Sequence, residues 1–176
     1  QRNYAIDTAR FKHQWVFDLD ADERFTPALR AECEEGVRRD ERSAYFVANK
    51  MMFLGKWIRH SSQYPVYQMR FHKLGEIRFI PFGHGQKEGP AKRGIGYLKE
   101  PYIHYNFSKG LKDWFAKHVE YGYREALLRL EQEKREVTFA GDTRMLRRQK
   151  LKQFSYKLPC RPLFRFLYGY FIKCGF

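Results

Sequence analysis

The sequence predicts an α/β fold closed by C-terminal helices, and three patterns predict it. Short runs of aromatic and β-branched residues, such as 13–17 and 67–73, have strand character. Capped segments with apolar residues at helical spacing stand between and after them. An acidic cluster, Asp18-Leu19-Asp20-Ala21-Asp22-Glu23, directly follows the first strand-like run. Open α/β sheets bind their ligands at such strand ends.

The elements follow in order. Residues 1–10 read as the end of a helix, and 13–17 as a buried strand that stops at the acidic cluster. Thr26 and Pro27 start a helix, with Thr26 as N-cap and Pro27 in the first turn. Leu29, Cys33 and Val37 then share one helical face. Residues 44–54 read as a strand, and Gly55 and Lys56 as a turn into Trp57 and Ile58. Residues 67–73 alternate as a strand that Leu74 and Gly75 end, and 78–81 follow. The five glycines and one proline of 83–96 predict a loop. Residues 101–105 read as a short strand. The strongest helix comes next: Ser108 is its expected cap, and Leu111, Trp114, Phe115, His118, Val119, Tyr123, Ala126, Leu127 and Leu130 form its expected buried stripe.

With 176 residues, one domain is the default. The 43% hydrophobic and 18% aromatic content argues against disorder. The chain does not begin with Met and shows no charged-then-apolar leader, so it is expected to be a fragment of a longer protein. Cys33, Cys160 and Cys174 lack metal or disulfide spacing and fit reduced thiols in a cytosolic compartment. No apolar run reaches the ~20 residues that span a bilayer.

The formal net charge is +14, which implies an anionic partner. Residues 142–176 carry nine Lys/Arg against Asp142 alone. Within them the aromatic-rich residues 163–172 suit an interfacial anchor on anionic lipid. The competing reading packs this segment on the part of the domain expected to be missing from this chain. No helix-turn-helix, RNP-like or zinc-finger signature accompanies the charge, and the acidic cluster repels phosphate backbones, so nucleic-acid binding is disfavoured.

Asp18, Asp20 and Asp22 crowd like charges at a strand end. A divalent cation relieves the crowding, and hard oxygen ligands suit Mg²⁺ or Mn²⁺. The bland alternative is a solvated acidic turn. One enzyme class with this opening is the haloacid-dehalogenase-like phosphatases, which Val16 to Asp20 resembles, with Asp18 as nucleophile and Asp20 as general acid. That family wants Thr or Val where this chain has Asp22, and a longer run of βα units.

Residues 15–23 resemble more closely the family 2 glycosyltransferases of the GT-A fold, whose pattern is apolar residues followed by Leu-Asp-Ala-Asp-Asp/Glu. Residues 1–5 resemble that family's Arg-Asn-x-Ala helix. Residues 64–71 are similar to a Tyr-Pro-x-x-Gln-x-Arg segment of its lipopolysaccharide-core and exopolysaccharide subgroup. Residues 82–88 stand where that subgroup has a His-Glu pair, and 101–105 with the aromatic-rich helix match again. Asp18 departs from the family, where an apolar residue is usual.

The resemblance implies a Rossmann-like GT-A fragment that lacks its first βα units, over 1–140, with a basic, aromatic-rich extension at 141–176. It implies an inverting glycosyltransferase that moves a sugar from a nucleotide-sugar donor to a cell-envelope glycan or lipid-linked acceptor. The expected setting is cytoplasmic, peripheral at the inner membrane face. Asp20 and Asp22 would hold the metal, with Asp20 also facing the ribose. Arg2, Asn3, Gln68, Arg70 and Lys87 would bind the nucleotide-sugar. Glu88 is the candidate general base, with His84 beside it.

Overall fold

The computed structural model describes residues 2–60, 64–82, 85–132, 154 and 159–175. Helix α1 (Arg2–Thr8) precedes β1 (Trp15–Phe17), β2 (Glu23–Arg24) and helix α2 (Pro27–Arg39). The hairpin of β3 (Ala44–Phe53) and β4 (Lys56–Trp57) leads to β5 (Val66–Lys73). Four short strands follow: β6 (Phe79–Phe82), β7 (Gly85–Glu88), β8 (Ile95–Tyr97) and β9 (Tyr102–His104). The chain closes with α3 (Leu111–Gln132) and α4 (Arg161–Leu167), and α4 runs into a π-helical turn, Tyr168–Ile172.

Among the described residues, seven strands form one mixed sheet, with β1, β5, β3, β9 and β2 in order and β4 and β8 also paired to β3. Strands β8 and β9 run parallel to β3, whereas β4 and β5 run antiparallel to it. Strands β6 and β7 form a separate antiparallel ribbon. The chain is therefore a mixed α/β protein, as the sequence predicts at the level of class.

The core has two halves, one on each face of β3. Leu29, Cys33, Tyr45, Val47, Phe71, Leu98 and Tyr102 fill the face that α2 covers. Ala44, Met69, Ile77 and Phe79 fill the other, with Ile6 of α1 packed against them. Thr26 caps α2 by accepting the Leu29 amide at 3.1 Å, as expected. Burial pushes the Cys33 thiol up to about 12, which makes it an inert core group.

Strand β5 contains a bulge. Tyr45 pairs with Phe71 but Phe46 pairs with Met69, so Arg70 is an extra residue on β5. Phe71 thereby stays on the α2 face while Met69 turns to the other.

Four expectations are corrected. Residues 83–96 are not one loop, because β7 pairs with β6 and β8 with β3. Glycine serves the strand at Gly96: a Cβ there would lie 2.8 Å from the Tyr45 ring. Val37 is exposed, and Gly36 is buried in its place, with the Tyr45 ring against it. Ser108 is not the cap of α3; Trp114 N–H bonds the Gly110 carbonyl at 3.2 Å, which starts the helix two residues later. The stripe on α3 is not buried: Leu111, Phe115, Val119, Tyr123, Leu127 and Leu130 are exposed, and Trp114 is half-buried, stacked on Phe107. The periodicity identified the helix, but helical spacing alone does not say what a stripe meets. The boundary expected at 140/141 lies outside the described residues.

A polar cluster ties the end of α2 to the end of β5. Arg93 forks onto Glu76 at 2.7 and 2.9 Å and reaches Asp40 at 3.1 Å. Lys73 bonds Asp40 at 2.7 Å, and Ser43 donates to Glu76 at 2.8 Å. The Arg93 bonds are the leading cause that holds the Asp40 and Glu76 carboxyls below their ordinary range. Acids with lowered folded-state values stabilise the fold above their unfolded values, and that stability fades as pH falls through the folded ones. Arg93→Gln should therefore lower the thermal midpoint at pH 7, with the gap to wild type closing as pH drops below about 4. Melting curves across that range check this; a gap that is constant with pH would contradict it.

Candidate functional site

The acidic cluster forms a closed turn between β1 and β2. Glu23 N–H donates to the Asp20 carbonyl at 3.0 Å, and the Asp20 amide donates back to Glu23 Oε2 at 2.9 Å. Tyr105 N–H holds the Asp22 carbonyl at 2.8 Å. The turn is thus held at Asp20, Asp22 and Glu23 by hydrogen bonds, from its own residues or from the strand end beside it.

Arg70, the extra residue of the bulge, supplies the cation beneath the turn. Its Nη2 lies 2.5 Å from Glu23 Oε1 and 3.0 Å from Asp20 Oδ2. Arg70 and Glu23 are both almost wholly buried, whereas the Asp20 side chain is 62% exposed. Arg70 also stands over the Tyr102 ring, 5.2 Å from its centroid. The Tyr102 hydroxyl donates to Gln68 at 3.3 Å. Burial pushes the Glu23 carboxyl up, and the Asp20 amide and Arg70 pull it back.

The flanking aspartates have different partners. Asp18 Oδ2 lies 3.6 Å from Arg2 Nε and 3.5 Å from the buried His72 Nε2. Asp22 Oδ2 lies 3.5 Å from His104 Nε2. Asp22 also lines an open cleft of about 460 Å³, with Arg24, Met52, Leu54, Tyr105 and Phe107. Asp22 is therefore the member of the cluster that reaches open space without an arginine partner among the described residues.

Helix α1 is joined to the same region. Asn3 grips the main chain of Phe79 in both directions, donating to its carbonyl at 2.7 Å and accepting its amide at 3.0 Å. Arg2 lies over the Phe79 ring, 5.0 Å from its centroid. Glu88 is the register partner of Phe79 across the β6–β7 ribbon, and Lys87 that of Ile80. His84 lies outside the described residues.

Of the expected site residues, Arg2, Asp20, Asp22, Gln68 and Arg70 lie around the acidic turn, and Asn3 and Glu88 meet at Phe79. No hydrogen bond or ion pair joins Glu88 to the turn among the described residues. Sequence reading gave no catalytic or binding role to Glu23, Tyr102, His72 and His104. Glu23 carried a usable signal, since it follows the aspartates directly. The other three did not, because only the pairing of β9 and β5 brings them to the turn. No family model matches the chain, and no solved structure matches it.

Among the described residues no group of three or more His, Cys, Asp or Glu is arranged to hold a metal. Mg²⁺ commonly takes one or two carboxylates and completes its shell with water and substrate phosphates. In donor chemistry alone, the two carboxylates of Asp20 and Asp22 suit that shared arrangement and not a cage closed by protein alone.

The buried pair gives a stability test. Removing one partner of a buried ion pair leaves an unpaired charge and costs about 3–5 kcal/mol. Glu23→Ala should therefore destabilise strongly in denaturant unfolding, and Glu23→Leu combined with Arg70→Met should recover most of the loss. Additive losses in the double variant would contradict the pairing.

Proposed function

We propose that the chain belongs to a metal-dependent inverting glycosyltransferase, with Asp20 and Asp22 facing the nucleotide diphosphate of a sugar donor. The acceptor would be a hydroxyl of a cell-envelope glycan or lipid-linked sugar. One observation carries the reading: the acidic turn is held from beneath by a buried arginine–glutamate pair, while Asp22 is left open to a cleft. A merely solvated acidic turn needs no such support. The order of the five sequence segments that resemble the family adds to it.

In this reading a bound Mg²⁺ or Mn²⁺ would neutralise the departing diphosphate as a Lewis acid. Asp22, on the cleft, would be its main protein ligand, with His104 orienting the carboxylate from behind. Asp20, restrained by Arg70, would face the metal or the ribose. Arg2 and Lys87 would attract the phosphates. The acceptor oxygen attacks the anomeric carbon, the bond from that carbon to the phosphate oxygen breaks, and the electron pair leaves with the diphosphate. The acceptor proton passes to Glu88 as general base. The phosphatase reading has less support. It asks Asp18 to attack phosphorus, yet Asp18 Oδ2 is buried between Arg2 and His72.

Calorimetry with a panel of nucleoside diphosphates, with and without Mn²⁺, tests the proposal. Binding should require the metal, and Asp22→Asn should abolish it without shifting the melting midpoint. Glu88→Gln should leave that binding unchanged while lowering sugar transfer by roughly 10²–10⁴-fold. Equal binding in excess chelator would overturn the assignment of Asp20 and Asp22.

A further inference from the structure

Two helical surfaces expose more apolar area than a solvated domain needs. On α3 the exposed stripe accompanies balanced charge, with Lys112, Lys117, Arg124 and Arg129 against Asp113, Glu120, Glu125 and Glu131. Nothing there selects a partner.

The second surface differs. From Arg161 to Lys173 the chain carries Arg161, Arg165 and Lys173 and no acidic residue. Eight large apolar or aromatic side chains are exposed in the same stretch, from Tyr170 at 38% to Ile172 at 67%. We propose that residues 161–173 seat on the surface of an anionic lipid bilayer. Phe164, Phe166, Phe171 and Ile172 would enter the acyl boundary. Arg161, Arg165 and Lys173 would lie against the headgroup phosphates.

Three observations select this occupant. The segment's charge has one sign, which complements an anionic surface and opposes a two-fold contact with a second copy of itself. Tyr168 and Tyr170 have the apolar body and polar tip that suit the bilayer–water boundary. No described helix is long and apolar enough to cross a membrane, and a short aromatic helix flanked by cations lies in the interface plane. Six further Lys/Arg between residues 142 and 160 extend the same charge in the sequence. The proposal does not depend on the glycosyl-transfer reading, because neither Asp22 nor Glu88 takes part.

The test uses the full chain with two kinds of vesicle, phosphatidylcholine alone and an equal mixture with phosphatidylglycerol. Co-sedimentation should favour the mixed vesicles strongly and weaken as salt rises. Replacing Arg161, Arg165 and Lys173 together with Ser should lower affinity for the mixed vesicles by roughly a hundredfold. A Phe171→Trp reporter should show extra fluorescence that brominated acyl chains quench, which keeps the test valid if the triple variant folds poorly. Equal binding to both vesicles, or none to either, would overturn the proposal. So would a lipid-free reporter that is already shielded in a concentration-dependent dimer, since a second copy would then cover the segment.

Discussion

The contact between Arg70 and Glu23 is the constraint on which the rest of the site depends. A carboxylate and a guanidinium are both buried there, and burying either alone is costly. Together they meet at 2.5 Å, and the second carboxyl oxygen of Glu23 accepts the Asp20 amide. The main chain of the acidic turn thus hangs from a side chain that the cation fixes. The bulge in β5 makes this possible. In a regular strand Arg70 and Phe71 would point to opposite faces; the bulge lets Phe71 fill the α2-side core while Arg70 reaches the turn and Tyr102 beside it.

The same constraint separates the roles of the aspartates. Asp18 is enclosed by Arg2 and His72, and Asp20 is restrained by Arg70. Asp22 lines the cleft. Three like charges in five residues are therefore reconciled by giving two of them guanidinium partners and setting the third between His104 and the cleft. In the proposed reading, that division leaves Asp22 to a divalent cation shared with a diphosphate. Asn3, by gripping Phe79, ties the ribbon that carries Glu88 to the helix that carries Arg2.

Much of this was legible in the sequence where local chemistry decides structure. Thr26 and Pro27 announced α2, the run 44–54 announced the central strand, and the acidic cluster announced a turn after β1. Features that depend on pairing were hidden. Alternation in 67–73 reads as a regular strand, and nothing local marks the extra residue at Arg70. The glycines of 83–96 signalled a loop because their use in strand packing, with Gly96 against Tyr45, exists only once β8 lies beside β3. The apolar stripe of α3 had the period of a buried face, yet the sequence does not say whether a neighbour covers it.

The central claim is that Arg70 holds the acidic turn through its guanidinium, with Nη2 on Glu23 and Asp20 and Nη1 directed at the Asp18 carbonyl. Amide hydrogen exchange at Asp20 and Glu23 measures it most directly, since both amides are bonded within the turn. The account predicts slow exchange at both in the wild type. It predicts fast exchange in Arg70→Lys, which keeps the charge but loses the fork, with β3 amides still protected. Turn amides that exchange freely in the wild type, or stay equally slow in Arg70→Lys, would contradict it.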